Sequence, residues 1–330
     1  MARRGEDVAT FMTGKRSMYG RYLFVRLTFR VIVCAMFVLG LAWTCEKSAA
    51  AGPGPGPAQE MLPDQSAAKA RQLLQQVVTA LGGQAYLNVR DTQCDGRIAQ
   101  FGTAGTLLGF TLFHDLWLLP DKNRVEYISK GEHTILGFLM GSDDLLITHG
   151  GAMITIFNGN QGWSLDKAGV SNEAEDVIQN FDEQLKTGMN NTLRKRLNEA
   201  GMEVRYAGTD LIDLKEAEWI EFTDSEHHEM RLGIDKYSHL PLRWIVATRN
   251  PETRERSEVI TSYTQYLTVD GVKSPLSLEL LRNDRKVSQT FLSNCKYNTD
   301  LDAELFTRAW LEQHAAEVTK KGYKDSKSSK

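Results

Sequence analysis

Between Thr92 and Trp163 the chain alternates short apolar runs with turn signals at intervals of about ten residues. The runs are Thr92–Phe101, Leu107–Leu119, Arg124–Lys130, His133–Met140, Leu145–Thr148 and Met153–Phe157. Gly102-Thr103-Ala104-Gly105, Pro120-Asp121-Lys122-Asn123, Gly141-Ser142-Asp143 and Asn158-Gly159-Asn160 stand among the punctuation between them. Gly and Asn adopt the positive φ that tight hairpins need, and Pro fixes the entry to a turn. This spacing predicts an antiparallel meander and leaves no room for the helical crossovers of βαβ units.

Two of these strands are apolar on both faces. Leu108, Phe110, Leu112, Leu116 and Leu118 share one parity of the second run, and Phe113, Trp117 and Leu119 the other. In the fourth run Ile135 and Leu139 alternate with Leu136, Phe138 and Met140. A strand with two apolar faces is expected to be covered on both, by helix, by a second sheet or by an apolar ligand.

Before the meander, Asp64–Leu81 reads as an amphipathic helix with Ala70, Leu73, Leu74, Val77, Val78 and Leu81 on one stripe. Asp64 is its expected N-cap and Gly82-Gly83 its stop. After the meander, Ser171–Gly201 reads as a second helix, started by Asn172 with Glu175 and striped by Val177, Ile178, Phe181, Leu185, Met189, Leu193 and Leu197. Gly188 interrupts it. It is read as plain packing, with a lid hinged near Gly188 as the sharper alternative. Strand patterns return at Met202–Ala207, Glu216–Thr223, Glu229–Asp235, Leu242–Arg249, Arg256–Val269, Leu276–Arg282 and Lys286–Tyr297, followed by a helical turn at Asp300–Phe306. The fold class expected is therefore α+β, mainly β.

The N-terminus has its own character. Arg3, Arg4, Lys15, Arg16, Arg21, Arg26 and Arg30 precede an apolar run from Val31 to Trp43, and Ser48-Ala49-Ala50-Ala51 follows. That is the order of a secretory signal, with an uncleaved membrane anchor as the alternative. The expected organisation is a signal peptide over 1–51, a Gly/Pro linker over 52–63, a single domain over 64–312 and a disordered basic tail over 313–330. Residues 1–51 carry eight Lys/Arg and three Asp/Glu, a net of +5; the whole chain is −3, so the remainder is −8. A domain this acidic is a poor nucleic-acid binder. After cleavage Cys94 and Cys295 remain, in the first and last long strands. Two readings stay open for them: a disulfide formed in an oxidising compartment, or two buried thiols.

Signals for catalysis are sparse. Nucleophile elbows, zincin helices and phosphate loops are absent from the sequence. Of the seven His, only His227 and His228 are clustered, in Glu226-His227-His228-Glu229. Adjacent residues on a strand point to opposite faces, so no metal site, no catalytic residue and no cofactor are expected there.

One combination of features has a wider likeness. A helix ending in Gly-Gly precedes a meander holding Leu116-Trp117-Leu118-Leu119-Pro120, then Asn158-Gly159-Asn160-Gln161-Gly162-Trp163. Tyr266-Leu267-Thr268-Val269-Asp270-Gly271-Val272-Lys273-Ser274-Pro275 and Leu301–Phe306 follow. In this order they resemble the outer-membrane lipoprotein carrier and sorting proteins, the LolA-like group, from about Ala67 to Phe306. The resemblance implies a curved antiparallel sheet, an incomplete barrel covered by two or more helices, with an apolar cavity for acyl chains. It implies a periplasmic, non-enzymatic carrier whose partners are acyl chains of lipid or lipoprotein, with an envelope membrane protein as a further partner. The cavity-lining residues expected are Phe110, Leu112, Phe138, Met140, Trp163, Phe181 and Trp244. In the best-known carriers an Arg precedes the Pro of the early strand and bonds to the lid helix; here that position is Leu119. The alternatives are a sensor of lipid or lipoprotein, and an envelope glycan- or lipid-acting enzyme centred on Glu226–Glu229.

Overall fold

The computed structural model describes residues 61–128, 134–135, 147–148, 153–166, 168–249 and 256–316. Helix α1 (Pro63–Ala80) and the single turn α2 (Gln84–Leu87) lead into strands β1 (Asp91–Phe101), β2 (Leu107–Leu118) and β3 (Lys122–Ile128). A two-residue pair, β4 (Thr134–Ile135) with β5 (Ile147–Thr148), forms a small separate sheet. The main sheet continues through β6 (Met153–Asn158), β7 (Gln161–Asp166) and β8 (Gly169–Asn172). Helices α3 (Glu175–Thr187) and α4 (Met189–Arg194) and a 3-10 turn (Arg196–Asn198) then carry the chain to β9 (Glu203–Ile212). The strands β10 (Lys215–Thr223), β11 (Glu229–Asp235), β12 (Pro241–Arg249), β13 (Arg256–Val269), β14 (Val272–Arg282) and β15 (Arg285–Tyr297) follow. A 3-10 turn (Ala303–Phe306) and a helix α5 over 308–316 close the described chain.

The order of the 13 strands explains the architecture: β8-β7-β6-β3-β2-β1-β15-β14-β13-β12-β11-β10-β9, antiparallel throughout. The chain enters at the centre on β1, winds out to the edge at β8, crosses to the far edge at β9, and winds back until β15 pairs with β1. Laid flat, 13 strands would put those edges about 58 Å apart. The connection between them is mostly helix, which advances only about 1.5 Å per residue. A curled sheet shortens that crossing, and the connecting helices lie across its face, where Met189 and Leu193 join the core. The sheet stays open, an incomplete barrel with β8 and β9 as its edges.

Where its two halves meet, Cys94 of β1 and Cys295 of β15 are joined by a disulfide. The same seam is pinned by Asp91, which accepts from the Thr299 and Asp300 backbone N–H groups and the Thr299 hydroxyl at 2.7–3.0 Å.

Register pairing assigns each side chain to a face, because directly paired residues share one. On the helix-covered face, α1 buries Ala70, Leu73, Leu74 and Val77 against Ile220, Phe222, Met230, Leu232, Ile234 and Trp244, with Met189 and Leu193 of α4. Each fully buried aliphatic side chain here contributes roughly 1.5–3 kcal/mol. Ser66 also ties α1 to the free edge of β9: its Oγ accepts from the Tyr206 N–H at 3.0 Å and donates to the Tyr206 carbonyl at 3.2 Å. On the opposite face Leu116, Ile154, Ile156 and Leu165 are covered by Phe306 and Leu311, which the chain returns after the seam.

Three expectations are corrected. Asp64 sits in the first turn of α1 and is no N-cap; Leu62 holds that position with no side-chain bond. The single helix expected over Ser171–Gly201 is a strand, two helices and a 3-10 turn, and Ala174 holds the N-cap position of α3, so Asn172 does not cap it. Finally, β2 is not covered on both faces along its length: Leu107, Leu108, Phe110 and Leu112 are exposed.

Candidate functional site

The helical crossover owes its shape to Gly188. A Cβ there would stand 2.7 Å from the Gln184 carbonyl oxygen, so only glycine lets the chain leave α3 in this direction. Its backbone is extended, at φ −69° and ψ 133°, which ends α3 and restarts the chain as α4. The last carbonyls of a helix have no partner inside it. In α3 three are satisfied from elsewhere: Asn191 Nδ2 donates to Leu185 O at 2.7 Å, Trp244 Nε1 to Thr187 O at 2.9 Å, and Arg196 Nη1 to Lys186 O. The end of α3 is thus bolted to the sheet by Trp244 and to the following turn by Arg196.

The middle of α3 is held by rings. Phe181 is 3% exposed and stacks on Phe157 of β6 at 4.3 Å and on Trp117 of β2 at 5.9 Å between centroids. Trp117 is held in turn by Asp115, whose carboxylate accepts from Trp117 Nε1 at 3.0 Å and from Asn123 Nδ2 at 2.8 Å. Burial pushes the Asp115 carboxyl up to about 6, against the opposing effect of those two donors.

Between this helix and the rim of the sheet lies a cleft of about 780 Å³. Val89, Leu118, Leu119 and Pro120 form one wall and Leu185 of α3 the other. Arg90, Asp182, Lys186, Asn191, Lys195, Arg196 and Glu199 line it as well. Leu119 is fixed in this wall by its N–H, which donates to the Arg90 carbonyl at 2.9 Å. A second cleft of about 570 Å³ opens between α1, α2 and α4, against Leu74, Val78, Leu87 and Leu193. Both volumes fall in the range of small-ligand pockets, about 300–1,000 Å³.

The residues expected to share one cavity do not all meet. Phe110 and Leu112 lie on the face of Leu116, away from α3, and Trp163 pairs through Ile156 onto that same face. Phe181 and Trp244 lie on the helix-covered side, packed in the core. Phe138 and Met140 are outside the described residues. What the sequence reading missed as cleft residues are Val89, Leu118, Pro120 and Leu185. Leu119 alone carried a signal, as an apolar residue in the place of the carriers' Arg.

No family model matches this chain, and no curated protein matches it. One similar structure is a putative outer membrane lipoprotein-sorting protein domain from Vibrio parahaemolyticus, 12% identical, with TM-score 0.45 over 74% of this chain and 99% of that one. A LolA superfamily protein from Nitrosomonas europaea is 12% identical, with TM-score 0.46 over 73% and 99%. A DUF1329 family protein from Desulfovibrio piger is 11% identical, with TM-score 0.46 over 73% and 98%.

Proposed function

We propose that this chain is an exported, non-enzymatic binding or carrier protein for an acyl chain of lipid or lipoprotein, held in the cleft between Leu118–Pro120 and α3. The observation that carries the reading is the make-up of that cleft: the apolar Val89, Leu119, Pro120 and Leu185 line it together with charged residues of both signs. An acyl chain with a polar head matches such a site, since ligand pockets are mostly apolar with a few polar groups. The crossover helix forms one wall, so the same element that closes the topology meets the ligand. The Cys94–Cys295 disulfide supports export, because such bonds persist in oxidising compartments. The basic leader and Ala49-Ala50-Ala51 support cleavage between Ala49 and Gly52, which N-terminal sequencing of the mature chain checks. A role in outer-membrane lipoprotein sorting follows the resemblance in motif order.

The test is titration with a fluorescent fatty-acid analogue. Wild type is expected to bind, Leu119→Asp and Leu185→Asp to bind at least about tenfold more weakly, and Phe110→Asp, on the other face, to bind as wild type. A wild-type chain that binds no such probe overturns the reading. A second reading, recognition of an envelope membrane protein, is favoured by the exposed Leu107, Leu108, Phe110 and Leu112. In that case Phe110→Asp loses the partner and keeps the probe.

A further inference from the structure

The turn between β10 and β11 carries Asp224-Ser225-Glu226-His227-His228. Asp224 is its anchor, with a side chain 2% exposed. Its carboxylate accepts from the backbone N–H groups of Glu226 and His228 at 3.0 and 2.9 Å, and from Arg196 Nη2 at 3.1 Å. It also binds His228 Nδ1 at 2.8 Å. His227 takes a positive φ of 66°, so the two histidines do not alternate as they would on a strand.

With Nδ1 engaged by a carboxylate, His228 presents Nε2 towards α3. There it stands 2.9 Å from Glu183 Oε2. Glu226 comes from the same turn, and donor atoms of Glu183, Glu226 and His228 lie within 4.8 Å of one another. Around a tetrahedral zinc ion with bonds of about 2.0–2.2 Å, donors stand about 3.4 Å apart. Glu183 and Glu226 are about half exposed, which leaves them room to approach that spacing. A carboxylate behind the imidazole is the usual support of a metal-bound histidine, fixing the ring and its tautomer.

The charges point the same way. The ion-pair network through this site joins Asp182, Glu183, Glu199, Asp224 and Glu226 with only Lys186 and Arg196 as fixed cations. Five carboxylates against two cations leave three negative charges with His228 neutral. Lys186 now lies 2.9 Å from Glu226 and 3.7 Å from Glu183, in the position a cation would take.

We propose that His228 Nε2, Glu183 and Glu226 bind a divalent ion of the zinc class, which displaces the Lys186 ammonium and leaves a fourth position to water. One nitrogen and two carboxylate oxygens suit zinc better than calcium or magnesium, which favour all-oxygen shells. The ion joins α3 to the β10–β11 turn and so staples the cleft-forming helix to the sheet. The expectation of no metal considered only the local run; the deciding ligand, Glu183, comes from a helix far away in sequence.

The test is calorimetric titration of the mature, metal-stripped chain, without a histidine tag, with zinc chloride. One saturable zinc per chain is expected. Glu183→Gln and His228→Gln weaken binding at least about tenfold, His227→Gln leaves it unchanged, and Lys186→Gln tightens it. If His228→Gln fails to fold for want of its bond to Asp224, the half-exposed Glu183 carries the test alone. Absence of saturable binding, binding that survives Glu183→Gln, equal loss in His227→Gln, or no gain in Lys186→Gln overturns the assignment.

Discussion

Replacing Asp115 with Asn removes a pH-dependent contribution to stability whose sign and size follow from the structure. The folded carboxyl titrates at about 6, above its ordinary 3.8, because burial disfavours the charge. The folded chain therefore holds this proton more tightly than the unfolded chain does. The destabilisation is complete above about pH 6 and vanishes below pH 3.8. At about 1.36 kcal/mol per pH unit, the rise from 3.8 to about 6 sets a ceiling of about 3 kcal/mol, reduced by the solvent contact that half-buried Asp115 keeps. Asn at 115 accepts from only one of the donors Asn123 and Trp117 and turns its amide on the other. That costs roughly 1–3 kcal/mol, but equally at every pH. The assay is urea unfolding of both chains, disulfide intact, at about pH 4 and about pH 7.5. The wild-type advantage at low pH is expected to shrink by about 1–3 kcal/mol at neutral pH. A difference constant within about 0.5 kcal/mol refutes the argument. The outcome bears on the site, because Asp115 holds Trp117 against Phe181 of α3.

Other substitutions separate packed from exposed positions. Phe181→Ala should cost roughly 3–5 kcal/mol in chemical denaturation, the full core amount, whereas Phe110→Ser, at 57% exposure, should change stability by less than about 1 kcal/mol. Gly188→Ala should destabilise by more than the reverse helix-propensity gain of about 1 kcal/mol, since its Cβ meets the Gln184 carbonyl at 2.7 Å; a stabilised variant would show that the break is not needed. Reduction of Cys94–Cys295 should lower stability by about 2–5 kcal/mol, read from urea midpoints with and without reductant.

Local chemistry made much of the fold legible. Asp270-Gly271 and Asn283-Asp284 take positive φ at both positions, as hairpin turns demand, and Gly82-Gly83 ends α1 with two positive φ values. What misled was a stripe without its context. The apolar positions from Val177 to Leu197 continue across Gly188, so periodicity reads one helix. The break is set by Gln184, Asn191 and Arg196 nearby, whose roles periodicity does not read, and by Trp244, which comes from a distant strand. The same holds for faces. Parity shows that β2 is apolar on two sides, but which side is covered depends on Phe306 and Leu311, brought back nearly two hundred residues later. The cleft was legible only at Leu119, because its walls come from a strand end and from a helix whose break was not foreseen.

Native mass spectrometry of the chain purified gently from cell envelope tests the central claim most directly. The account predicts an adduct with the mass of an acyl-bearing amphiphile, present on wild type and on Phe110→Asp and lost on Leu119→Asp and Leu185→Asp. A bare polypeptide mass for wild type, or an adduct that the two cleft variants retain, contradicts it.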